Sequence, residues 1–260
     1  MSAAQCARDD RIVEEVRLGE WKVKGDKFDQ SRCIYFNEDQ KQECERHESC
    51  GSNCTYENPI VDCENCPELQ DIKVASVQKH SNYRTTKNGL AVNDIMLIKL
   101  SRPAVYNRLV QPVCLPPPDF DNLLGEEGHT PGYFKHQNVL VGWGATYHED
   151  YEETRQTASS DQQKLTTPLL SNNECIDLLK RLANVTFEIS VEKHLCAGGV
   201  LGEDSCLGDA GGPLLGRERP DDPFTLIGVM SSGTSRCGLE APTIYTRVSH
   251  YRNWILSHMN

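Results

Sequence analysis

The sequence predicts an all-β protein built from short antiparallel strands, and two observations predict it. Brief apolar stretches recur along the chain, and Gly, Asn and Pro turn signals separate them. In chain order the stretches are Val16–Leu18, Val74–Val77, Ile95–Leu100, Val139–Val141, Leu226–Met230 and Ile244–Val248. Asn88-Gly89, Pro116-Pro117-Pro118, Asp119 and Asn122 punctuate them. From Tyr251 to Met259 the pattern changes. Trp254, Ile255 and Met259 fall at helical spacing, which predicts a terminal helix packed on the strands.

Composition narrows the function. The net charge of -11 disfavours nucleic acid, heparin and anionic membrane surfaces as partners. No apolar run approaches the roughly 18 residues of a membrane span. Twelve cysteines point to an oxidising compartment. Asn53-Cys54-Thr55 and Asn184-Val185-Thr186 fit the N-glycosylation acceptor. No basic region followed by an apolar core precedes Ser2, so no secretory signal is read at the start.

Six of the cysteines, Cys33, Cys44, Cys50, Cys54, Cys63 and Cys66, crowd into an acidic segment. Cys50-x3-Cys54 and Cys63-x2-Cys66 admit a zinc reading. An extracellular context favours three disulfides stapling a loop that has little apolar core. No metal or other cofactor is assigned.

The chemistry concentrates in Asp204-Ser205-Cys206-Leu207-Gly208-Asp209-Ala210-Gly211-Gly212-Pro213. With Ser2-Ala3-Ala4-Gln5-Cys6, Asn93-Asp94-Ile95-Met96-Leu97, Val141-Gly142-Trp143-Gly144 and Tyr251-Arg252-Asn253-Trp254-Ile255, it resembles the trypsin/chymotrypsin-type serine proteases over nearly the whole chain. Cys66-Pro67-Glu68-Leu69-Gln70-Asp71-Ile72 and Thr167-Pro168-Leu169-Leu170-Ser171 look most like arthropod clip-domain proteases and their inactive homologues.

That resemblance implies two six-stranded antiparallel barrels and a C-terminal helix. Residues 1–118 would form a partial first barrel with a cysteine-rich insertion at 30–68, and residues 119–260 the second barrel. The family's opening strands lie upstream of the Ala-Ala-x-Cys segment, so the chain is expected to be a fragment, or a gene model begun at an internal Met1. The family's pairings imply disulfides Cys175–Cys196 and Cys206–Cys237. They leave Cys6 and Cys114 without their usual partners.

The resemblance also places the site, with two departures. Asp94 takes the position of the orienting carboxylate. Gln5 stands where the family has the histidine base, and a carboxamide does not exchange protons near neutral pH. Ala210 stands where the family has the nucleophilic serine, and a methyl group attacks nothing. His47 and His80 are read as surface histidines rather than substitute bases. The amides of Gly208 and Ala210 retain an oxyanion hole.

Asp204, Ser231, Ser232, Gly233 and Thr243 mark the specificity pocket, whose carboxylate would select Arg or Lys. Thr243 replaces a glycine and should narrow the slot. Ser232 replaces an aromatic residue. Asp209 is expected to lack its usual ammonium partner and so to be unpaired, with its loop zymogen-like. The functional expectation is a secreted, catalytically inactive homologue that binds proteins of an extracellular cascade such as prophenoloxidase activation. The alternatives are an endopeptidase cleaving after Arg or Lys, and a fragment without function.

Overall fold

The computed structural model describes residues 1–7, 13–19, 70–107, 109–120, 138–145, 159, 161–183, 187–217, 219, 221–233, 238 and 240–259. The insertion with its six cysteines and His47, both glycosylation acceptors and Cys237 lie outside the described residues. The chain divides into two compact units. One comprises Met1–Val13, Ser76–Lys99 and Val113–Asn260, and the other Glu14–Ala75 and Leu100–Pro112.

Two strands run from one unit into the other: β2 (Gln70–Lys79) and β5 (Met96–Leu100). In the smaller unit, β1 (Glu15–Leu18) pairs antiparallel with the first half of β2, Val16 opposite Ile72 and Arg17 opposite Asp71. The opposed charges meet as a two-pronged pair, Arg17 Nε to Asp71 Oδ1 at 2.6 Å and Nη2 to Oδ2 at 2.9 Å. The pair is exposed, so it contributes little to stability. The side chain of buried Gln70 holds the backbone of Val105 from both sides, accepting from its N–H at 2.7 Å and donating to its carbonyl at 2.8 Å.

The larger unit carries the remaining described elements. A short hairpin, β3 (Arg84–Thr85) with β4 (Ala91–Val92), turns at Gly89. The main sheet contains β6 (Asn138–Gly142), β7 (Gln163–Thr167), β8 (Leu169–Leu170), β9 (His194–Gly198), β10 (Pro213–Gly216), β11 (Thr225–Ser232) and β12 (Pro242–Arg247). All its pairs are antiparallel, in the order β7-β6-β10-β11-β12-β9-β8.

The two ends of that order are consecutive in sequence. Only Pro168 separates β7 from β8, so the sheet curls until its ends come together. Proline has no N–H to give a ladder, which breaks one strand into two short ones. Counted as one strand, β7 and β8 make this the six-stranded curled sheet of a trypsin-like second barrel. Its interior is filled by Leu140, Leu195, Leu214, Ile227, Met230 and Tyr245.

The six predicted strands form with small shifts of boundary. Val248 belongs instead to a 3-10 turn (Val248–Tyr251) that leads into helix α2 (Arg252–Ser257). Trp254 and Ile255 pack against Leu226, Val229 and Ala3. Met259, expected on the packed face, is exposed beyond the end of the helix.

Helix α1 (Asn172–Ala183) was not anticipated, although its start is written in Ser171-x-x-Glu174. The amide of Glu174 donates to Ser171 Oγ at 3.2 Å, and the amide of Ser171 donates to Glu174 Oε2 at 2.9 Å, a reciprocal capping box. A disulfide joins Cys175 of this helix to Cys196 of β9, within a buried cluster that includes Leu90, Leu179 and Ile244. No described helix is long and apolar enough to cross a membrane.

The disulfide closes a loop over a sequence separation of 21 residues. On chain-entropy grounds its removal costs about 3 kcal/mol. The double variant Cys175→Ser/Cys196→Ser should unfold at correspondingly lower urea, with a slightly steeper transition because its unfolded chain is less constrained.

Candidate active site

The site is built around one buried carboxylate. Asp94 follows Asn93, whose backbone adopts the left-handed conformation (φ 55°) that asparagine tolerates better than most residues. The turn is held in place from two directions. Asn93 Nδ2 donates to the carbonyl of Asn82 at 2.8 Å, and the Tyr251 hydroxyl donates to Asn93 Oδ1 at 3.0 Å. The Thr246 hydroxyl donates to the Asp94 carbonyl at 2.8 Å. Asp94 is thereby fixed with its side chain inward and 1% exposed.

Each carboxylate oxygen has its own donor. The amide of Gln5 donates to Oδ1 at 2.9 Å, and the Ser231 hydroxyl donates to Oδ2 at 2.6 Å. Burial raises the Asp94 pKa above the usual carboxylate range, while hydrogen bonds from Ser231, Gln5 and Ala4 act in the opposite direction.

Gln5 sits on a single 3-10 turn, Ala4–Cys6. Ser2 exchanges backbone hydrogen bonds with Met96 at 3.1 and 2.8 Å, which pins this turn beside β5. Ala3 and Ala4 are fully buried, and nothing larger fits at either position without displacing neighbours. The Gln5 side-chain amide donates to the carbonyl oxygen of Ser231. Gln5 therefore meets Asp94 through its backbone and Ser231 through its side chain.

Ser231 reaches both partners because of a β-bulge. Met230 lies opposite Tyr245 and Ser232 opposite Ile244, so Ser231 is the extra residue between them. A bulge releases one residue from the ladder and re-aims it. Sequence reading put Ser231 in the pocket; its hydroxyl points to Asp94. Alternation of apolar and polar residues carries no mark of such a bulge.

The loop bearing Ala210 packs against the Gln5 turn. The Cys6 thiol lies 3.5 Å from the Ala210 carbonyl oxygen. A Cβ on Gly211 would sit 2.3 Å from Ser2 Oγ, so this close approach requires glycine. Ala210 itself is exposed. The Leu207 carbonyl accepts from the Ala145 amide at 2.9 Å. In a trans peptide the following N–H points the opposite way, so the Gly208 amide faces away from Ala145. Cys206 is disulfide-bonded.

Asp209 is not left without partners, contrary to the sequence expectation. Its Oδ1 accepts from the Gly144 amide at 2.8 Å and its Oδ2 from the Cys206 amide at 3.0 Å. The carboxylate lies so close to the Gly-Trp-Gly turn that a Cβ on Gly142 would fall 2.0 Å from it and one on Gly144 2.4 Å. Backbone N–H groups satisfy a carboxylate as an ammonium ion would, though with partial charge only.

In the pocket, Thr243 is 3% exposed. Its hydroxyl is 2.6 Å from that of buried Ser205 and 3.4 Å from Asp204 Oδ1. Burial pushes the Asp204 pKa up to about 7, against hydrogen bonds from Ser205, Gly238 and Thr243 that act to lower it. Tyr245 lies behind them, fully buried, and its phenol is also pushed up by desolvation. Ser205 was not singled out from sequence, where it reads as one more turn residue. His80 stands apart, ringed by Tyr251 and Trp254 at 5.3 and 5.1 Å. Burial lowers its pKa, as do Lys193, His250 and His258 nearby. Among the described residues no cluster of His, Cys, Asp or Glu could hold a metal ion.

The Trypsin family model matches residues 63–255. The chain belongs to the trypsin family. It is 35% identical over 259 residues to phenoloxidase-activating factor 3 of Holotrichia diomphalia, covering 98% of this chain and 59% of that protein. It is 31% identical to the CLIP domain-containing serine protease HP8 of Bombyx mori over the whole of this chain and 58% of that protein. Phenoloxidase-activating factor 1 of Holotrichia diomphalia is 38% identical over 71% of this chain and 44% of that protein. The chain thus spans about three fifths of the length of the first two relatives.

Two outcomes follow from this trypsin-family site. Ser231→Ala removes a donor from a buried carboxylate and should cost about 1.5–3 kcal/mol at neutral pH, read by urea unfolding. Asp204→Asn should raise the melting temperature in a pH-dependent way. A carboxyl whose folded pKa is raised contributes stability that is present below about 3.8 and lost as pH rises through about 7. The advantage of the asparagine variant should therefore be absent near pH 3, grow between those values and level off above.

Proposed function

We propose that this chain acts by binding, as a catalytically inactive member of an extracellular protease cascade. One observation carries the reading: the turn whose Gln5 amide donates to buried Asp94 carries a carboxamide, and the loop packed against that turn carries only a methyl group at Ala210. Gln5 cannot take up a proton from a nucleophile and return it to a leaving group. At position 210 there is no hydroxyl to deprotonate. In serine proteases, losing nucleophile or base alone costs about 10⁶-fold in turnover, and the losses do not simply add.

What remains is a folded surface with its loops held by backbone hydrogen bonds. Two similar insect proteins are named for phenoloxidase activation. They support protein partners within a protease cascade such as phenoloxidase activation; the cysteine content supports secretion, and the two acceptor tripeptides support glycosylation. The acidic balance argues for basic partner surfaces rather than nucleic acid or membranes.

A second reading, a trypsin-like endopeptidase cleaving after Arg or Lys, is favoured by Asp204, which retains a carboxylate at the pocket base. A fluorophosphonate probe that labels activated serines separates the two. The binding reading expects no labelling of the expressed protein or of Ala210→Ser, and a change in cascade output when the protein is depleted from haemolymph. Labelling of either form, or unchanged output on depletion, would sink it.

A further inference from the structure

Three imidazoles and two aromatic rings form one continuous row at the C-terminal helix. In order they are His258, Trp254, His80, Tyr251 and His250, with ring centroids 5.0, 5.1, 5.3 and 4.8 Å apart. The histidines at the two ends are exposed. His80, the middle ring, is half-buried and comes from the end of β2, far from the others in sequence.

The surroundings of His80 suit its neutral form. The Asn82 amide donates to Nδ1 at 3.2 Å, so that nitrogen keeps a lone pair and the ring proton sits on Nε2. Protonation would set a second N–H against the Asn82 amide and break the bond. The charges that act on the ring are cationic whenever they form: Lys193 just before β9, His250 on the 3-10 turn and His258 after α2. Asp94 acts on Tyr251 and is not among the groups acting on His80. A cation at either end of the row faces one aromatic ring and water. In the middle it adds to its neighbours with less solvent to screen it. Desolvation first, then these cations, lower the His80 pKa from its usual 6.5.

Two links run from His80 to the turn that carries Asp94. Asn82, whose amide binds the ring, accepts from Asn93 Nδ2 through its carbonyl at 2.8 Å. Tyr251, edge-on to the ring, donates to Asn93 Oδ1 at 3.0 Å. The imidazole thus touches both groups that grip the Asn93 side chain.

We propose that His80 is an acid-sensitive latch for the C-terminal segment. Neutral, it joins the Asn82 turn to Tyr251 and Trp254. Protonated, it releases Tyr251–His258 and slackens the grip on Asn93. The device is independent of any chemistry at positions 5 and 210. Because the folded form disfavours the proton, the latch contributes stability that is whole above pH 6.5 and falls as pH drops below it toward the folded pKa. Buried His194 has a lowered pKa as well, but its Nδ1 accepts from the Ser190 amide at 3.1 Å, so its protonation loosens a different turn.

Amide hydrogen exchange of the folded protein, corrected for the intrinsic effect of pH, reads the release. Between pH 7.5 and 5.5 the protection of the α2 amides should fall about three- to tenfold, the upper figure being the linkage limit one unit below 6.5. Protection in β11 should change by less than about twofold. His80→Asn keeps an acceptor for the Asn82 amide, and His80→Phe keeps the row of rings. Neither side chain titrates, and both variants should flatten the α2 profile. An α2 protection that ignores pH would overturn the proposal. So would a fall shared equally by β11, or one that persists in a His80 variant that still melts cooperatively. Exchange of the imidazole C2 hydrogen in the parent protein gives the His80 pKa without any variant, and a value at or above 6.5 would also overturn it.

Discussion

The buried carboxylate of Asp94 organises the larger unit. Taking a carboxylate out of water is costly unless its oxygens are satisfied. The donors that satisfy it come from places far apart in sequence: the backbone of Gln5, the hydroxyl of Ser231 and, at the carbonyl of the same residue, the hydroxyl of Thr246. Each bond fixes a segment that local propensity would leave free. The 3-10 turn at Ala4–Cys6 carries little stability of its own. It is located by Asp94 and by the exchange between Ser2 and Met96.

Asp209 organises the neighbouring loop by the same logic. Its two oxygens accept from Gly144 and Cys206, and the bare glycines at 142 and 144 let the carboxylate come close enough. This ties the Gly-Trp-Gly turn to the Asp209 loop across 65 residues of sequence. The Ala210 backbone then takes its place as a consequence. Two carboxylates held by backbone amides and hydroxyls thus fix the frame on which Gln5 and Ala210 sit.

The pocket follows a different rule. Asp204, Ser205, Thr243 and Tyr245 satisfy one another, so the polar groups are paired without any outside ligand. Closed polar networks of this kind stiffen a core. A carboxyl at the pocket base therefore does not by itself describe the charge the pocket presents, because burial pushes its pKa up to about 7 against the hydroxyls beside it.

Much of this was legible in the residues. The strands announced themselves by short apolar runs between turns, since a strand buried on one or both faces must be apolar at those positions. The motif around Ala210 and the carboxamide of Gln5 are covalent facts that no fold can alter. Helix α1 was legible too: Ser171 and Glu174 write a capping box, and Cys175, Leu178, Leu179 and Leu182 recur at helical spacing. Other features were decided only in three dimensions. Pro168 breaks one strand into β7 and β8. A bulge sets the Ser231 hydroxyl on Asp94. Backbone amides satisfy both oxygens of Asp209, and Thr243 sits buried against Ser205. The reason is physical: hydrogen-bond satisfaction and the filling of space depend on groups distant in sequence, and their distances exist only once the sheet has curled.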